Sequence, residues 1–239
     1  MAVHAPRIAE KCIIWTQAMI DQALFNEKLK RPVKICFDEW NVWNADKYPG
    51  TEGHEEIYNV SDMLGVAVWL NIFNRHADIV EIACIAQSVN VIAPIYTKPG
   101  DLMKQTIWWP YQLTAQNVHG RSVATHVNCS MFEGEVTGQL EKFADMLPEL
   151  KHLDVASTVD DSNILTISIV NGKLEPVEVD LQIDSEIKHG IEKYEVVGNP
   201  EDDNSFEAKD KVIPIQSSLS SSTTVILKRC SYTMLRYQL

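Results

Sequence analysis

Two carboxylates beside two tryptophans are the residues of this sequence best suited to chemistry. Asp38 and Glu39 are followed at once by Trp40, and Trp43 comes three residues later. A carboxylate in such a place can attack the anomeric carbon of a sugar, while an indole ring packs against the C–H face of the same sugar. An acidic pair that caps a strand–loop junction, with the tryptophans in the core, explains the same residues. Taken alone, the tripeptide favours this structural role.

Other reactive groupings find little support in the sequence. The seven histidines are scattered, and they form neither HExxH nor a pair at ligand spacing with a cysteine or aspartate. The sequence contains no glycine-rich phosphate loop. Ser61-Asp62 with a distant histidine does not make a catalytic triad, and a helix cap explains it better. We therefore expect no metal and no cofactor.

Helices and strands are predicted to alternate up to about residue 119. Cys12, Trp15 and Met19 recur at helical spacing, and the run from Val33 to Phe37 is typical of a buried strand. Apolar residues surround the second helix, so both of its faces should be buried. The predicted elements are helix 6–28, strand 33–37, polar loop 44–56, helix 61–76 with Ser61 as N-cap, strand 79–86 and helix 105–117. This order indicates a parallel α/β sheet, with Asp38 and Glu39 at the carboxyl end of its first strand.

The pattern of apolar and polar residues changes after Gly120. Short runs alternate apolar and polar residues, as in Leu165–Val170 and Thr223–Leu227, and turn signals separate them. This pattern is typical of an antiparallel β-sandwich. Asn171-Gly172 lies between two such runs and predicts a hairpin. The acidic run 201–203 is interpreted as a solvated turn.

Four long motifs resemble glycoside hydrolase family 51, the α-L-arabinofuranosidases, in order and spacing. The motifs are FDEWNVW from Phe37, SDMLGVAVWLNIFNRHAD from Ser61, IACIAQSVNVIAPI from Ile82 and QTIWWP from Gln105. The similarity runs from residue 35 to residue 120, includes residues 123–127, and is greatest to intracellular-type members. It implies the C-terminal part of a (β/α)₈ barrel, about the last two strand–helix units, over residues 1–119. A jelly-roll-like antiparallel β-sandwich would follow over residues 120–239.

The resemblance also implies roles for single residues. Glu39 matches the catalytic nucleophile that forms a covalent arabinosyl-enzyme intermediate. Gln87 matches a glutamine that hydrogen-bonds the arabinose, and Trp43 matches an aromatic residue at the edge of the site. Asn41 and Asn90 lie in the same motifs, where a turn or backbone-capping role is about as good an interpretation as a site role. The implied reaction is retaining hydrolysis of terminal α-L-arabinofuranosyl residues in arabinan or arabinoxylan.

Retaining hydrolysis needs a second carboxyl about 5 Å from the nucleophile, to protonate the leaving oxygen. In the family this glutamate follows an asparagine on the fourth strand. The one Asn-Glu pair here is Asn26-Glu27, which a solvated helix end explains better, and Glu52, Glu55 and Glu56 match nothing catalytic. We therefore expect the chain to carry the nucleophile without the acid/base and to hydrolyse little or nothing alone. The alternative is a non-catalytic fragment or a sugar-binding β-sandwich module with a barrel remnant.

Composition restricts the kinds of partner and the cellular compartment that we expect. The 239 residues carry a net charge of −12, which argues against nucleic acid as the main partner. No stretch approaches the about 20 apolar residues of a membrane span, and the first residues do not read as a secretory signal. Five scattered cysteines without a CxxC pair favour a reducing, cytoplasmic compartment. The family resemblance adds the expectation of an arabinose-containing saccharide as substrate and of a homo-oligomer.

Overall fold

The computed structural model describes residues 2–43, 55–132 and 150–239. After a 3₁₀ turn at Ala2–His4, its helices are α1 (Pro6–Asn26), α2 (Val60–Arg75) and α3 (Trp108–Asn117). Its strands are β1 (Ile35–Trp40), β2 (Val80–Ile85), β3 (Ile95–Lys98), β4 (Asp101–Lys104), β5 (Arg121–Val123), β6 (Leu153–Val159), β7 (Ile164–Asn171), β8 (Val177–Asp180), β9 (His189–Val197), β10 (Ile215–Ser218), β11 (Thr224–Leu227) and β12 (Ser231–Gln238). The helices and the first two strands lie close to their predicted positions. Most of the predicted loop 44–56 lies outside the described residues.

Strands β1 and β2 form a parallel pair, as the alternation of helices and strands predicts. Ile35 pairs with Val80 and Phe37 with Ala83. Helix α2 connects the two strands and covers one side of them, through contacts of Phe37 and Trp40 with its aromatic residues. A hairpin of β3 and β4 follows β2, with Gly100 at a positive φ of 78° in its turn. The sequence interpretation missed this hairpin.

Helix α2 begins one residue earlier than predicted, and Ser61 is not its cap. Asn59 has an extended backbone, and its side chain accepts a hydrogen bond from the backbone N–H of Asp62 at 3.1 Å. The Asp62 carboxylate accepts one from the backbone N–H of Asn59 at 3.0 Å. This reciprocal capping box satisfies two amide groups that the helix cannot pair by itself. Asn59 can form it because it lies three residues before Asp62, whereas Ser61 lies next to it.

The second part of the fold is a six-stranded antiparallel sheet with the order β10-β9-β12-β7-β6-β5. One face, including Ile167 and Leu235, packs against the small sheet of β8 and β11, which contributes Leu227. The opposite face, including Val170 and Met234, packs against α2. The structure therefore confirms the predicted order along the chain, in which parallel strand–helix units come first and an antiparallel sandwich follows. Helix α2 lies between the parallel strands β1 and β2 and the six-stranded sheet.

The predicted hairpin at Asn171-Gly172 is wrong. Strand β7 ends at Asn171 and pairs with β6 and β12, whereas the next strand, β8, pairs with β11 in the other sheet. The Asn171 side chain donates to the carbonyl oxygen of Lys228 at 2.8 Å, and the N–H of Gly172 donates to that of His152 at 3.0 Å. These bonds redirect the chain out of the sheet instead of folding it back.

The acidic turn at residues 198–203 is more than a solvated loop. The carbonyl oxygens of Pro200 and Asp202 accept hydrogen bonds from the backbone N–H groups of Ser61 and Val60, at 3.0 and 2.9 Å. Glu201 also accepts from the side chain of Asn59 at 3.3 Å. The turn thus pairs the unsatisfied amides of the first turn of α2 and fixes that helix to the sandwich.

Candidate active site

An irregularity near the end of β1 exposes two consecutive carboxylates. The pairing with β2 shifts between Phe37 and Trp40. Both of these residues pack on Phe73 of α2, with ring centroids 5.3 and 5.2 Å away. Regular alternation would turn residues 37 and 40 to opposite faces, so the irregularity lets Asp38 and Glu39 both be exposed. The strand is longer than predicted, and the two acids lie inside it instead of just after it.

Glu39 and Gln87 lie at the same edge of the parallel pair. The backbone N–H of Ala86 donates to the carbonyl oxygen of Trp40 at 2.9 Å, immediately after the pairing of Trp40 with Ile85. Glu39 directly precedes this bond on one strand, and Gln87 directly follows it on the other. Both side chains are exposed. The structure therefore brings these two predicted residues to the carboxyl edge of the sheet, where α/β barrels place their sites.

Trp43 lies three residues beyond β1 and is 54% exposed. Its predecessor in the motif, Trp40, is only 3% exposed and stacks among aromatic residues of α2 and α3. One tryptophan of the motif thus belongs to the core, as the structural interpretation of the tripeptide expects. The other, Trp43, is on the surface.

Asn41 connects the segment after β1 to the loop after β2. Its amide donates to the carbonyl oxygen of Ile92 at 2.6 Å and to the hydroxyl of Tyr58 at 3.3 Å. The Tyr58 hydroxyl donates in turn to the carbonyl oxygen of Val42 at 2.9 Å. Burial, together with the nearby Glu56 and Asp62, raises the pKa of this hydroxyl above its ordinary value, so it stays a donor. Of the two interpretations of Asn41, the structure supports the backbone-capping role.

The loop after β2 has an unusual backbone. Asn90 and Ile92 have positive φ angles of 65° and 41°, which is rare for a β-branched residue such as isoleucine. The Asn90 side chain accepts hydrogen bonds from the backbone N–H and the hydroxyl of Thr97, at 2.7 and 3.1 Å. Asn90 is therefore also a backbone-capping residue, and it fixes the loop that begins with Gln87 against β3.

Gln105 joins the same two segments, and the sequence interpretation did not single it out. It is buried, and its amide donates to the carbonyl oxygens of Glu56 and Ala93 at 3.1 and 2.8 Å. Its side-chain oxygen accepts from the backbone N–H of Tyr58 at 2.9 Å. The signal that could have found it is its place at the start of QTIWWP, where a glutamine precedes an apolar run.

Of the other candidate carboxyls, the structure describes Glu27, Glu55 and Glu56. Glu27 is exposed at the C-terminal end of α1, before the amino end of β1. Glu39 lies about 13 Å further along that strand at about 3.3 Å per residue. Glu55 accepts a hydrogen bond from the Tyr96 hydroxyl at 3.3 Å, Glu56 is buried, and Glu52 lies outside the described residues.

Within the described ranges, no three His, Cys, Asp or Glu side chains form a metal site. None of the described helices is long and apolar enough to cross a membrane.

Solved structures share this fold. A family 51 α-L-arabinofuranosidase from Bifidobacterium longum superposes with a TM-score of 0.82 at 22% sequence identity, over 97% of this chain and 48% of its own. An arabinose complex of the Thermotoga maritima α-L-arabinofuranosidase gives a TM-score of 0.82 at 22% identity, over 100% of this chain and 49% of its own. The fold is thus that of the C-terminal part of family 51 glycoside hydrolases.

Sequence comparison gives the family. The profile of the α-L-arabinofuranosidase C-terminal domain matches residues 38–231. The probable α-L-arabinofuranosidase C of Aspergillus fumigatus is 35% identical in an alignment of 241 positions that covers 99% of this chain and 46% of that protein. An intracellular exo-α-(1→5)-L-arabinofuranosidase of Halalkalibacterium halodurans is 42% identical in an alignment of 123 positions that covers 47% of this chain and 24% of that protein. The chain belongs to the α-L-arabinofuranosidase C-terminal domain family, and it spans about half the length of the Aspergillus relative.

Proposed function

We propose that this chain carries the nucleophile part of a retaining α-L-arabinofuranosidase site. The observation that carries the proposal is the irregularity of β1, which exposes Glu39 at the carboxyl edge of the parallel pair, beside the loop that begins with Gln87. Glu39 would attack the anomeric carbon and form the covalent glycosyl-enzyme. Gln87 would hydrogen-bond the sugar, and the exposed ring of Trp43 would pack at the edge of the site. The substrates would be arabinan or arabinoxylan fragments that end in α-L-arabinofuranose.

The acid/base is proposed to come from outside this chain. A retaining pair requires carboxyls about 5 Å apart. Glu27, in the chain's one Asn-Glu pair, precedes the opposite end of β1, and this position supports the view that it plays no part. We expect the purified chain to hydrolyse an aryl α-L-arabinofuranoside no faster than the buffer does. Turnover that Glu39→Gln abolishes would contradict the absence of the acid/base while supporting the nucleophile.

A substrate with a good leaving group tests Glu39 directly. 2,4-Dinitrophenolate departs without general-acid assistance, so the first step needs only the nucleophile. Incubation with 2,4-dinitrophenyl α-L-arabinofuranoside should add the mass of one arabinosyl group to the peptide that contains Glu39, as measured by mass spectrometry. Asp38→Asn is the matched control and should still be labelled. Labelling that persists in Glu39→Gln, or no labelling at all, would reject Glu39 as the nucleophile.

The compartment and the division of the chain are proposals of the same kind. Cys12, Cys36 and Cys84 are free and exposed, which favours a reducing, cytoplasmic compartment, as does the relative described as intracellular. Cell fractionation with an antibody to the chain tests this.

The boundary is placed near residue 120 because β5, from Arg121, pairs within the six-stranded sheet. A fragment of residues 120–239 should expose the face that packs on α2 and bind a hydrophobic dye more strongly than the whole chain.

A further inference from the structure

A pocket lies at one end of the β-sandwich. Its volume is about 480 Å³, which is within the range of small-molecule binding sites. Its walls come from β5, the end of β6, the turn between β6 and β7, the segment of residues 181–188, and Leu239 after β12. All of its lining residues follow residue 120, so the pocket is built without the strands that place Glu39 and Gln87. It is therefore a second place, besides the candidate active site, for a small molecule to bind.

Hydrogen bonds join the walls of this pocket to one another. The backbone N–H of Leu239 donates to the carbonyl oxygen of Asn163 at 3.0 Å, and that of Lys188 donates to the carbonyl oxygen of Gln238 at 2.9 Å. The Lys188 ammonium group donates to the carbonyl oxygen of Leu239 at 2.5 Å. The pocket is therefore formed before a ligand arrives, which lowers the entropic cost of binding.

A glycine brings Arg121 to the rim of the pocket. Gly120 has a positive φ of 82°, and a Cβ atom at this position would lie 2.3 Å from the carbonyl oxygen of Val159. Only glycine allows so close an approach, and it lets Arg121 begin β5 directly opposite Val159. The backbone thus fixes where the guanidinium group starts, and the exposed side chain reaches out from an edge strand.

Four polar side chains of the pocket have no partner within the described part of the chain. They belong to Arg121, Asn163, Ser185 and Glu186, and none of them makes a hydrogen bond or an ion pair there. Arg121 and Glu186 carry opposite charges and line one pocket, yet they do not pair with each other. A guanidinium group only donates, a carboxylate only accepts, and an amide or a hydroxyl does both. A ligand that satisfies all four must itself donate and accept at several points.

The remaining wall of the pocket is apolar. Val123, Val159 and Leu239 line it, and they pack on the buried cluster that includes Leu165 and Tyr237. An apolar wall with a few converging polar groups is the usual composition of a small-molecule site. Sugars match this composition, because a sugar ring has C–H faces and its hydroxyl groups both donate and accept.

We propose that this pocket binds a neutral oligosaccharide. Its hydroxyl groups would accept from Arg121 and donate to Glu186, while its C–H groups pack on Val123 and Val159. An anion would be repelled by the carboxylate of Glu186 and a cation by the guanidinium group of Arg121, whereas a neutral ligand suits both. Binding of an arabinan or arabinoxylan chain here would raise the local concentration of its arabinosyl ends near Glu39. This last step rests on the proposed function, whereas sugar binding does not.

NMR titration of the ¹⁵N-labelled chain tests the binding, with arabinotriose and xylotriose as the probes. Glu39→Gln serves as the background, so that hydrolysis cannot consume a probe. We expect saturable shifts of the amide signals at residues 121–123, 159–163 and 185–188. Arg121→Ala should raise the Kd at least about tenfold, through loss of a charge-assisted hydrogen bond. Glu186→Ala should also weaken sugar binding, whereas it would strengthen the binding of an anion. Arg31→Ala is the matched control, because Arg31 is an exposed arginine outside the pocket, and it should leave the Kd unchanged.

Several outcomes would overturn the proposal. They are the absence of shifts with both sugars, shifts confined to the edge where Glu39 and Gln87 lie, and equal weakening by Arg121→Ala and Arg31→Ala. Binding of free alanine in place of the sugars would overturn the choice of ligand, since its two charges also match Arg121 and Glu186. The same spectra show whether each variant is folded. Failure to label Glu39 with the activated arabinoside would reject the proposed function and leave the sugar pocket in place.

Discussion

Helices α1 and α2 are both rich in apolar residues, yet they are buried to very different extents. Helix α2 has the parallel strands on one side and the six-stranded sheet on the other, and ten of its sixteen residues are buried. Helix α1 is longer, with 21 residues, and buries two. The difference shows that apolar content predicts a helix but does not predict which neighbours it has. Helix α2 should dominate the stability of the chain, and α1 should add little through its exposed apolar residues, such as Met19.

Truncation of one leucine in α2 should have the largest effect. Leu64 is 2% exposed and belongs to the cluster that includes Met234 of the sandwich. Leu64→Ala should lower the free energy of unfolding by about 3 kcal/mol, from lost burial and a residual cavity. Met19→Ala on α1 is the control and should change it by less than about 0.5 kcal/mol. Urea unfolding followed by circular dichroism measures both, and equal losses would end the contrast between the two helices.

A cluster of charges connects α1 to the rest of the chain. Glu10 of α1 contacts Arg75, the last residue of α2, at 3.0 Å, His76, which follows it, at 3.2 Å, and Arg7 at 2.9 Å. Burial by itself would raise the pKa of Glu10. The hydrogen bond with His76 and the charges of Arg75 and Arg7 outweigh it, and they lower the pKa from its ordinary 4.5 to about 2. Arg75 also contacts Asp154 of β6 at 3.1 Å, so the cluster extends to the sandwich.

The lowered pKa makes part of the stability dependent on pH. Because the folded chain holds Glu10 ionised more strongly than the unfolded chain does, the contribution is complete above about pH 5. It is lost as the pH falls from 4.5 towards 2, and it amounts to about 2–3 kcal/mol. Glu10→Gln should be less stable than the natural chain at pH 7, and the two should converge near pH 2. A constant difference between their unfolding free energies from pH 7 to pH 2 would contradict this account.

Much of the fold could be predicted from the sequence because its signals are local. The helical spacing in α1, the apolar run of α2 and the turn residues before β7 each act within a few residues. The hairpin at Asn171-Gly172 could not be judged this way, because the bonds of Asn171 to Lys228 and of Gly172 to His152 join distant parts of the chain. The docking of the acidic turn on α2 is equally non-local.

The candidate site shows the same difference between local signals, which could be predicted, and non-local contacts, which could not. Its motifs pointed to Glu39, Gln87 and Trp43, and the structure places Glu39 and Gln87 at one edge of the sheet; their chemical roles stay predictions. The residues that hold the two loops together were not predicted as such. Tyr58 and Gln105 act through backbone groups 12 to 49 residues away, as in the bonds of Gln105 to Ala93 and to Glu56. No local pattern encodes such pairs.

The smallest expected effect concerns the hydrogen bonds that join the two site loops. It tests whether these bonds stabilise the loops specifically, whereas the packing of α2 stabilises the core. Tyr58→Phe removes a hydroxyl that donates to the carbonyl oxygen of Val42 and accepts from Asn41. It should lower the free energy of unfolding by about 1–2 kcal/mol, since each of these two bonds contributes about 1 kcal/mol net. Amide hydrogen exchange should rise at residues 41–43 and 90–93 while α2 stays protected. Tyr96→Phe is the control, because its hydroxyl donates to the exposed carboxylate of Glu55 at 3.3 Å, and exchange in the two loops should not change. Equal increases throughout α2 would mean that Tyr58 stabilises the core as a whole and does not specifically hold the edge where Glu39 and Gln87 lie.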